Sequence, residues 1–191
     1  VSKFSPSAKQ SLPAMQQAFE NGHLELAQWF VEKFGFTADE ICNKYDSTIW
    51  NACGNGNINV AEWLMQEFRP NLRYPTNWVG EYFSYRGCLG DACFRGDLEA
   101  VQWIVKKFGL TVDTIRTSEA LLYACDSGNL ELAKWLVTTF ELTNVDIRAE
   151  ENRAFINACV DLKLDVAGWI FSNFTLKLTE CVIQDILGAY E

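Results

Sequence analysis

Apolar residues recur along this chain at fixed distances from a series of alanines. Five alanines that are followed by cysteine or phenylalanine have a tryptophan eleven residues later. A phenylalanine follows each tryptophan by five residues. The tryptophans of this register are Trp29, Trp63, Trp103, Trp135 and Trp169, at intervals of 34, 40, 32 and 34 residues. Five of the seven tryptophans in one register indicate an internal repeat.

Each unit of the repeat predicts two helices. In the second helix of the first unit, apolar residues from Leu24 to Phe34 recur at helical spacing and define one face, with Trp29 at its flank. We expect the tryptophan of each unit to fill the interface with a neighbouring unit. The first helix is shorter and carries an apolar residue three positions before the alanine. These residues are Met15, Ile49, Leu89, Leu121 and Phe155.

The connections between helices carry their own signals. Between the two helices of a unit, a glycine is followed by a residue that we expect to cap the second helix, because glycine tolerates left-handed backbone and Asn or Asp accepts free amides. These pairs are Gly22-His23, Gly56-Asn57, Gly96-Asp97 and Gly128-Asn129. After the second helix, Thr37 and Glu40 have the spacing of a capping box, and Thr111 and Thr143 start similar segments. A short third helical turn is therefore predicted there.

The stretch from Gly22 to Val31 (Gly-His-Leu-Glu-Leu-Ala-Gln-Trp-Phe-Val) resembles the ankyrin stretch Gly-His-Leu-Glu-Val-Val-Lys-Leu-Leu-Leu. The resemblance covers about residues 11 to 174. Two features depart from the family: the Thr-Pro-Leu-His tetrapeptide is absent, and the Gly-Ala start of the β-hairpin finger is replaced by segments such as Phe-Gly-Leu-Thr. The pattern is similar to divergent ankyrin-like arrays of protists and large DNA viruses. The resemblance implies a helical solenoid that binds other proteins.

Repeat and resemblance together predict an all-α fold: an ankyrin-like helical repeat solenoid of five units plus terminal half-units, forming a single domain over residues 1–191. The predicted units span about residues 11–36, 45–70, 85–110, 117–142 and 151–176. Residues 177–191 begin a sixth unit, with Ile186 and Ala189 in first-helix positions. This half-unit is either a C-terminal cap or the start of an array that continues in a longer parent protein.

Composition narrows the classes of partner. A net charge of −9 argues against nucleic acid and against an anionic membrane surface, both of which attract basic proteins. No run of about 18 apolar residues is present. The seven cysteines follow the repeat rather than a disulfide framework, so we expect unpaired, metal-free thiols and an intracellular, cytoplasmic monomer.

Catalytic chemistry finds little support in the sequence. His23 is the only histidine, which excludes a site built from several histidines. Neighbouring carboxylates such as Glu150 and Glu151 are typical of solvated connections. No phosphate-binding loop occurs, because the glycines are single and follow the repeat. The sequence therefore predicts no enzyme activity, no cofactor and no metal, and it favours packing over ligand binding for the tryptophans.

Two regions are candidates for partner binding. The connection after Phe68 is longer than its counterparts by six to eight residues, and residues 69–88 contain five aromatic residues and three arginines against one acid. Aromatic residues and arginine dominate binding hot spots. Alternatively, Tyr82, Phe83 and Tyr85 extend the following helix and pack inward. The second region is the groove, where the residue before each alanine varies. The candidate contacts are Arg73, Tyr74, Trp78, Tyr82, Tyr85, Arg86, Asn51, Asp91, Tyr123 and Asn157.

From these observations the sequence predicts a non-catalytic scaffold or adaptor. It would bind another protein through the repeat groove and the 69–88 insertion. The alternative is a regulatory or anchoring array in a longer protein that carries an enzyme domain elsewhere.

Overall fold

The structure is a computed structural model, and the residues that it describes are 8–41, 47–68 and 85–176. Within these ranges the chain forms α-helices joined by turns, and no β-strand occurs there. The predicted all-α class is thus confirmed for the described residues. The chain divides into two compact units, Val1–Cys88 and Leu89–Glu191, and the boundary falls inside a helix.

The first unit is built from two pairs of helices. Helix α1 packs against α2 and against α4, and α4 packs against α5. The ring centroids of Phe19 in α1 and Trp63 in α5 lie 6.0 Å apart, so the two pairs are in contact. The helices are α1 (Ala8–Glu20), α2 (Leu24–Phe34), α3 (Ala38–Ile41), α4 (Ser47–Gly54) and α5 (Ile58–Phe68), followed by α6 (Tyr85–Phe94), which contains the boundary.

In the second unit, α9 and α12 pack side by side, and each contacts the helix that follows it. Helix α10 contacts α13, while α8 and α11 pack against α9, and α11 also packs against α12. After α6, the helices are α7 (Leu98–Phe108), α8 (Val112–Thr117), α9 (Ala120–Asp126), α10 (Leu130–Phe140), α11 (Asn144–Ile147), α12 (Ala149–Val160) and α13 (Leu164–Asn173).

Four alanines of the sequence register, each two residues before the end of a first helix, accept a hydrogen bond that closes this helix. The carbonyl of Ala18 accepts a hydrogen bond from the amide of His23 at 2.8 Å, and Ala52 accepts one from Asn57 at the same distance. Ala92 and Ala158 make equivalent bonds with the residue five positions later. In each bond the donor amide follows a residue with left-handed backbone. The bond satisfies a carbonyl group that would otherwise lack a partner at the end of the helix.

The capping prediction has a mixed outcome. The side chain of Asp97 accepts from the amide of Ala100, and that of Asn129 accepts from Leu132, each at 3.0 Å. These two caps are confirmed. The prediction is wrong for His23, whose side chain makes no capping hydrogen bond.

Two of the turns between paired helices also bond to the preceding pair. The amide nitrogen Nδ2 of Asn57 donates to the carbonyl of Glu20 at 2.7 Å within the first unit. In the second unit, Nδ2 of Asn129 donates to the carbonyl of Gly96 at 2.6 Å. The same turn position therefore links successive helix pairs in both units.

The core follows the sequence register. The five alanines before the tryptophans are buried, as are the five apolar residues three positions ahead of them. Alanine suits such positions because its methyl group needs little space between closely packed helices. The predicted short third helical turn is confirmed as well, because α3, α8 and α11 follow Thr37, Thr111 and Thr143 directly.

Candidate functional site

Most of the predicted binding insertion lies outside the described residues. This applies to Arg73, Tyr74, Trp78 and Tyr82. Tyr85 and Arg86 form the first turn of α6, and the inward packing of the aromatic residues stays a prediction. The proposed binding role of residues 69–88 stays a prediction.

The predicted groove residues link adjacent first helices. The side-chain amide of Asn51 donates to Glu20 Oε1 at 3.3 Å, and that of Asn157 donates to Asp126 Oδ1 at 3.0 Å. Asn51 stays exposed, whereas Asn157 is half-buried. Each asparagine precedes the alanine of its unit, and each acid follows the alanine of the preceding unit by two residues. Part of the hydrogen-bonding capacity of both amides is therefore used within the fold.

The other two groove residues differ in exposure. Asp91 is exposed, and Tyr123 is half-buried with its ring beside Gly90. A Cβ atom at Gly90 would lie 3.3 Å from the Tyr123 ring, so this glycine provides space for the aromatic side chain. The structure thus leaves Asp91 and Asn51 as the more accessible members of the predicted groove set.

A cleft of about 220 Å³ opens in the second unit between α8, α9, α11 and α12. Two elements form its walls: the short helices that follow the second helices, and the first helices beside them. Most of the side chains in these walls are apolar. The lining residues are Ile115, Arg116, Glu119, Leu121, Leu122, Leu142, Val145, Asp146, Ile147, Ala149 and Ala154.

An ion pair joins the two short helices beside the cleft. Arg116 Nε in α8 donates to Asp146 Oδ1 in α11 at 2.7 Å, and Nη2 lies 3.5 Å from Oδ2. The Asp146 side chain is only 9% exposed, whereas that of Arg116 is 46% exposed. Asp146 also completes the capping box of α11, because the backbone amide of Thr143 donates to its Oδ2 at 2.7 Å.

These contacts fix the protonation state of the pair. Partial burial of Asp146 favours its protonated form, but hydrogen bonds from Arg116 and Thr143 outweigh burial and lower the pKa of the carboxyl group. The same hydrogen bond and the charge of Asp146 raise the pKa of the Arg116 guanidinium. Both groups are therefore charged at neutral pH.

Two further residues define the mouth of the cleft. Val145 is 78% exposed, although it is apolar and belongs to a helix. Glu119 is exposed and has left-handed backbone (φ 55°, ψ 25°) at the position before α9. The cleft thus combines an apolar interior, an accessible apolar edge and an acidic residue at its mouth.

Sequence reasoning did not find this cleft. The capping box of Thr143 and Asp146 is visible in the sequence as a local pattern. Arg116, which pairs with Asp146, lies 30 residues earlier. No spacing rule of a single helix connects residues so far apart. The one available signal was the predicted third helical turn, because two successive turns of this kind, α8 and α11, form one wall.

The prediction for the tryptophans is confirmed for Trp63 and wrong for Trp29. Each of the five contacts the phenylalanine five residues later, edge-on, with centroids 5.3 to 6.2 Å apart and interplanar angles of 80° to 90°. The expected contact with a neighbouring helix pair is confirmed for Trp63 by its approach to Phe19. The prediction of a filled interface is wrong for Trp29, whose side chain is 51% exposed.

Three cysteines of the described ranges, Cys53, Cys93 and Cys125, are buried free thiols. Burial raises the pKa of Cys93, and burial together with the charge of Asp126 raises that of Cys125 to about 12. Such thiols stay protonated at neutral pH and are poor nucleophiles. In the same ranges, no three His, Cys, Asp or Glu side chains are grouped closely enough to hold a metal ion.

Comparisons with models of known protein families and with curated proteins find no match to this chain. In the part of the chain that the structure describes, no helix has the length and apolar character needed to cross a bilayer. The cleft and the contacts around it are therefore the observations from which a function can be argued.

Proposed function

We propose that this chain is a non-catalytic module that binds another protein, and that its architecture is an ankyrin-like helical repeat solenoid. Recurring geometry supports the architecture. The second helices α2, α5, α7 and α10 each have 11 residues. The turns that precede them contain glycines with φ between 69° and 76°. Arrays of such units offer an extended surface for recognition.

The observation that carries the binding function is the apolar cleft between the short helices and the first helices. Val145 at its edge is exposed to water. Covering this apolar side chain with a partner would lower the free energy, because apolar surface would be removed from water. Open concave sites with a few polar groups at the rim are typical of ligand recognition. In the proposed solenoid, this cleft belongs to the surface formed by first helices and connecting turns.

The polar residues of the cleft favour binding over catalysis. Asp146 is held ionised by Arg116 and Thr143, so it cannot donate a proton near neutral pH. Its oxygens already accept these hydrogen bonds, which leaves little capacity to activate water. Besides this pair, the cleft presents the single carboxylate of Glu119 and apolar side chains. Such a site can hold and orient a partner, which requires no chemical step.

Besides the cleft, the groove residues and the insertion of residues 69–88 are separate candidate contacts for a partner. Asn51 and Asp91 are exposed in the first helices and are accessible to a partner. The insertion combines aromatic residues with arginines in a chain that is otherwise acidic, so a partner with an acidic patch is expected there. The cleft and the insertion can be tested separately.

We expect Val145→Arg to reduce capture of the partner at least tenfold. The new side chain would place a charge against the apolar cleft and block its edge. Because Val145 is 78% exposed, the change should leave the fold intact. The measurement is affinity capture from a lysate of the source cells, with each bound protein quantified for the wild-type chain and for the variant.

Leu164→Arg is the matched control. Leu164 is also an exposed apolar residue of a helix, at 69% exposure, but it does not line the cleft. A partner that binds through the cleft should be retained by Leu164→Arg and lost by Val145→Arg. Equal retention of every captured protein by the two variants would show that the cleft is not a protein-binding site.

Substitutions in the insertion should also weaken partner binding. Replacing both Tyr74 and Trp78 by alanine should weaken partner binding by about 2 kcal/mol, the usual threshold of a hot spot. Arg73 and Arg86 would then contribute to the association rate rather than to the buried contact. Capture should fall while the melting temperature of the chain stays unchanged. A double variant that unfolds at a markedly lower temperature would instead place these residues in the core.

A further inference from the structure

We propose that the cleft of the second unit binds a peptide segment through one large apolar side chain that is flanked by a lysine or an arginine. This assignment rests on the protein-binding function proposed above. It adds the chemistry of the segment that is recognised, which follows from the size and the charges of the cleft.

The volume of the cleft indicates what it can accept. Sites for drug-sized ligands and cofactors enclose about 300 to 1,000 Å³. The cleft, at about 220 Å³, lies below this range. An apolar cavity of about 150 Å³ already accommodates a benzene molecule. The cleft is therefore matched to one large aliphatic or aromatic side chain, and its apolar walls from Leu121, Leu122 and Ile147 suit such a group.

The charges around the cleft determine the flanking residue. Arg116 and Asp146 form an ion pair, so their charges largely cancel toward a ligand. Glu119 is the remaining charged residue of the lining, and it is exposed. The charges of the lining residues therefore sum to −1, which attracts a basic residue beside the apolar anchor and repels an acidic one.

Glu119 also provides a precise test, because its backbone is left-handed. A glycine at φ 55° avoids the steric cost that a glutamate has there. Glu119→Gly should therefore stabilise the fold while it removes the charge. Glu141 is the matched control: it is an exposed glutamate with φ 52°, and it does not line the cleft.

The first experiment selects random dodecapeptides by display on the immobilised chain of residues 1–191, with Val145→Arg as the counter-selection. We expect the enriched peptides to share a Leu, Ile, Met, Phe or Trp next to a Lys or Arg. Alanine in place of the apolar anchor should reduce affinity at least tenfold in fluorescence anisotropy titrations of a synthetic selected peptide.

The second experiment compares glutamate variants with that same peptide. Glu119→Gln should weaken binding about threefold to fivefold at low ionic strength, and added salt should reduce this difference. Glu119→Gly should weaken binding by the same factor while it raises Tm by about 2 to 4 °C. Glu141→Gly should raise Tm similarly and leave the affinity unchanged.

The outcomes separate this proposal from the function on which it rests. Peptides that require Val145 but favour acidic flanks, or show no charge preference, would overturn the basic-flank assignment and leave the protein-binding function standing. The basic-flank assignment also fails if Glu119→Gln binds the basic peptide as tightly as the wild type does. If no selected peptide depends on Val145, both the peptide assignment and the cleft as a protein-binding site fail.

Discussion

Leu132→Ala should lower the free energy of unfolding by about 3 kcal/mol, whereas Leu26→Ala should lower it by about 1 kcal/mol or less. The two leucines occupy the same position in the repeat, eight residues after the register alanine. Leu132 is fully buried, and truncating its side chain would leave a cavity. Leu26 is 47% exposed, so its truncation removes less buried apolar surface and leaves no closed cavity.

Urea denaturation followed by circular dichroism measures both changes. Since the chain contains two compact units, each loss should be evaluated in the transition of the unit that carries the variant. Equal losses at the two positions would show that the exposed fraction of the side chain does not determine its contribution. A large loss at Leu26 alone would mean that its exposed face is covered in solution.

This pair of leucines also shows what the sequence could and could not predict. Spacing along one helix identifies the buried face, because that face depends on the helix itself. The alanines and the apolar residues ahead of them are accordingly buried as expected. The exposure of the other faces of the helix depends on whether a neighbouring helix pair packs against them. Trp29 and Leu26 have the register of their equivalents in later units, but they belong to the first described pair and stay half exposed.

The candidate site was less predictable for a related reason. Local patterns identified the helix start at Thr143 and Asp146, and the structure confirms that capping box. The ion pair with Arg116 arises only when two short helices from successive units lie side by side. Glu119 gives no sequence signal either, because a left-handed residue is expected to be glycine or asparagine. The cleft is therefore a product of tertiary packing.

Gly96→Ala should lower the free energy of unfolding by about 2 to 3 kcal/mol, while Gly109→Ala should cost only about 1 kcal/mol. Both glycines have left-handed backbone, with φ 69° and 60°, so each alanine incurs a similar backbone cost. The difference lies in their surroundings. A Cβ atom at Gly96 would approach Asn129 to 3.1 Å, whereas one at Gly109 would meet no atom within 4 Å.

Asn129 makes the close approach at Gly96 consequential. Its Nδ2 donates to the carbonyl of Gly96 at 2.6 Å, and its Oδ1 caps α10 by accepting from Leu132 at 3.0 Å. Displacing this side chain would weaken both the link between successive turns and the cap. Leu162 occupies the equivalent position in the last described pair with φ 58°, and its side chain is 63% exposed. A side chain is thus tolerated where no described turn packs against it.

Urea melts of Gly96→Ala and Gly109→Ala provide the comparison, and both residues belong to the second unit. Adding Asn129→Gly to each variant removes the Cβ and Nδ2 atoms of Asn129 that a Cβ atom at Gly96 would approach. If the contact with Asn129 causes the extra loss, Gly96→Ala should cost only about 1 kcal/mol in the Asn129→Gly background, close to the cost of Gly109→Ala. An undiminished loss in that background would show that Asn129 does not cause it, and the proposed coupling between successive turns would be wrong.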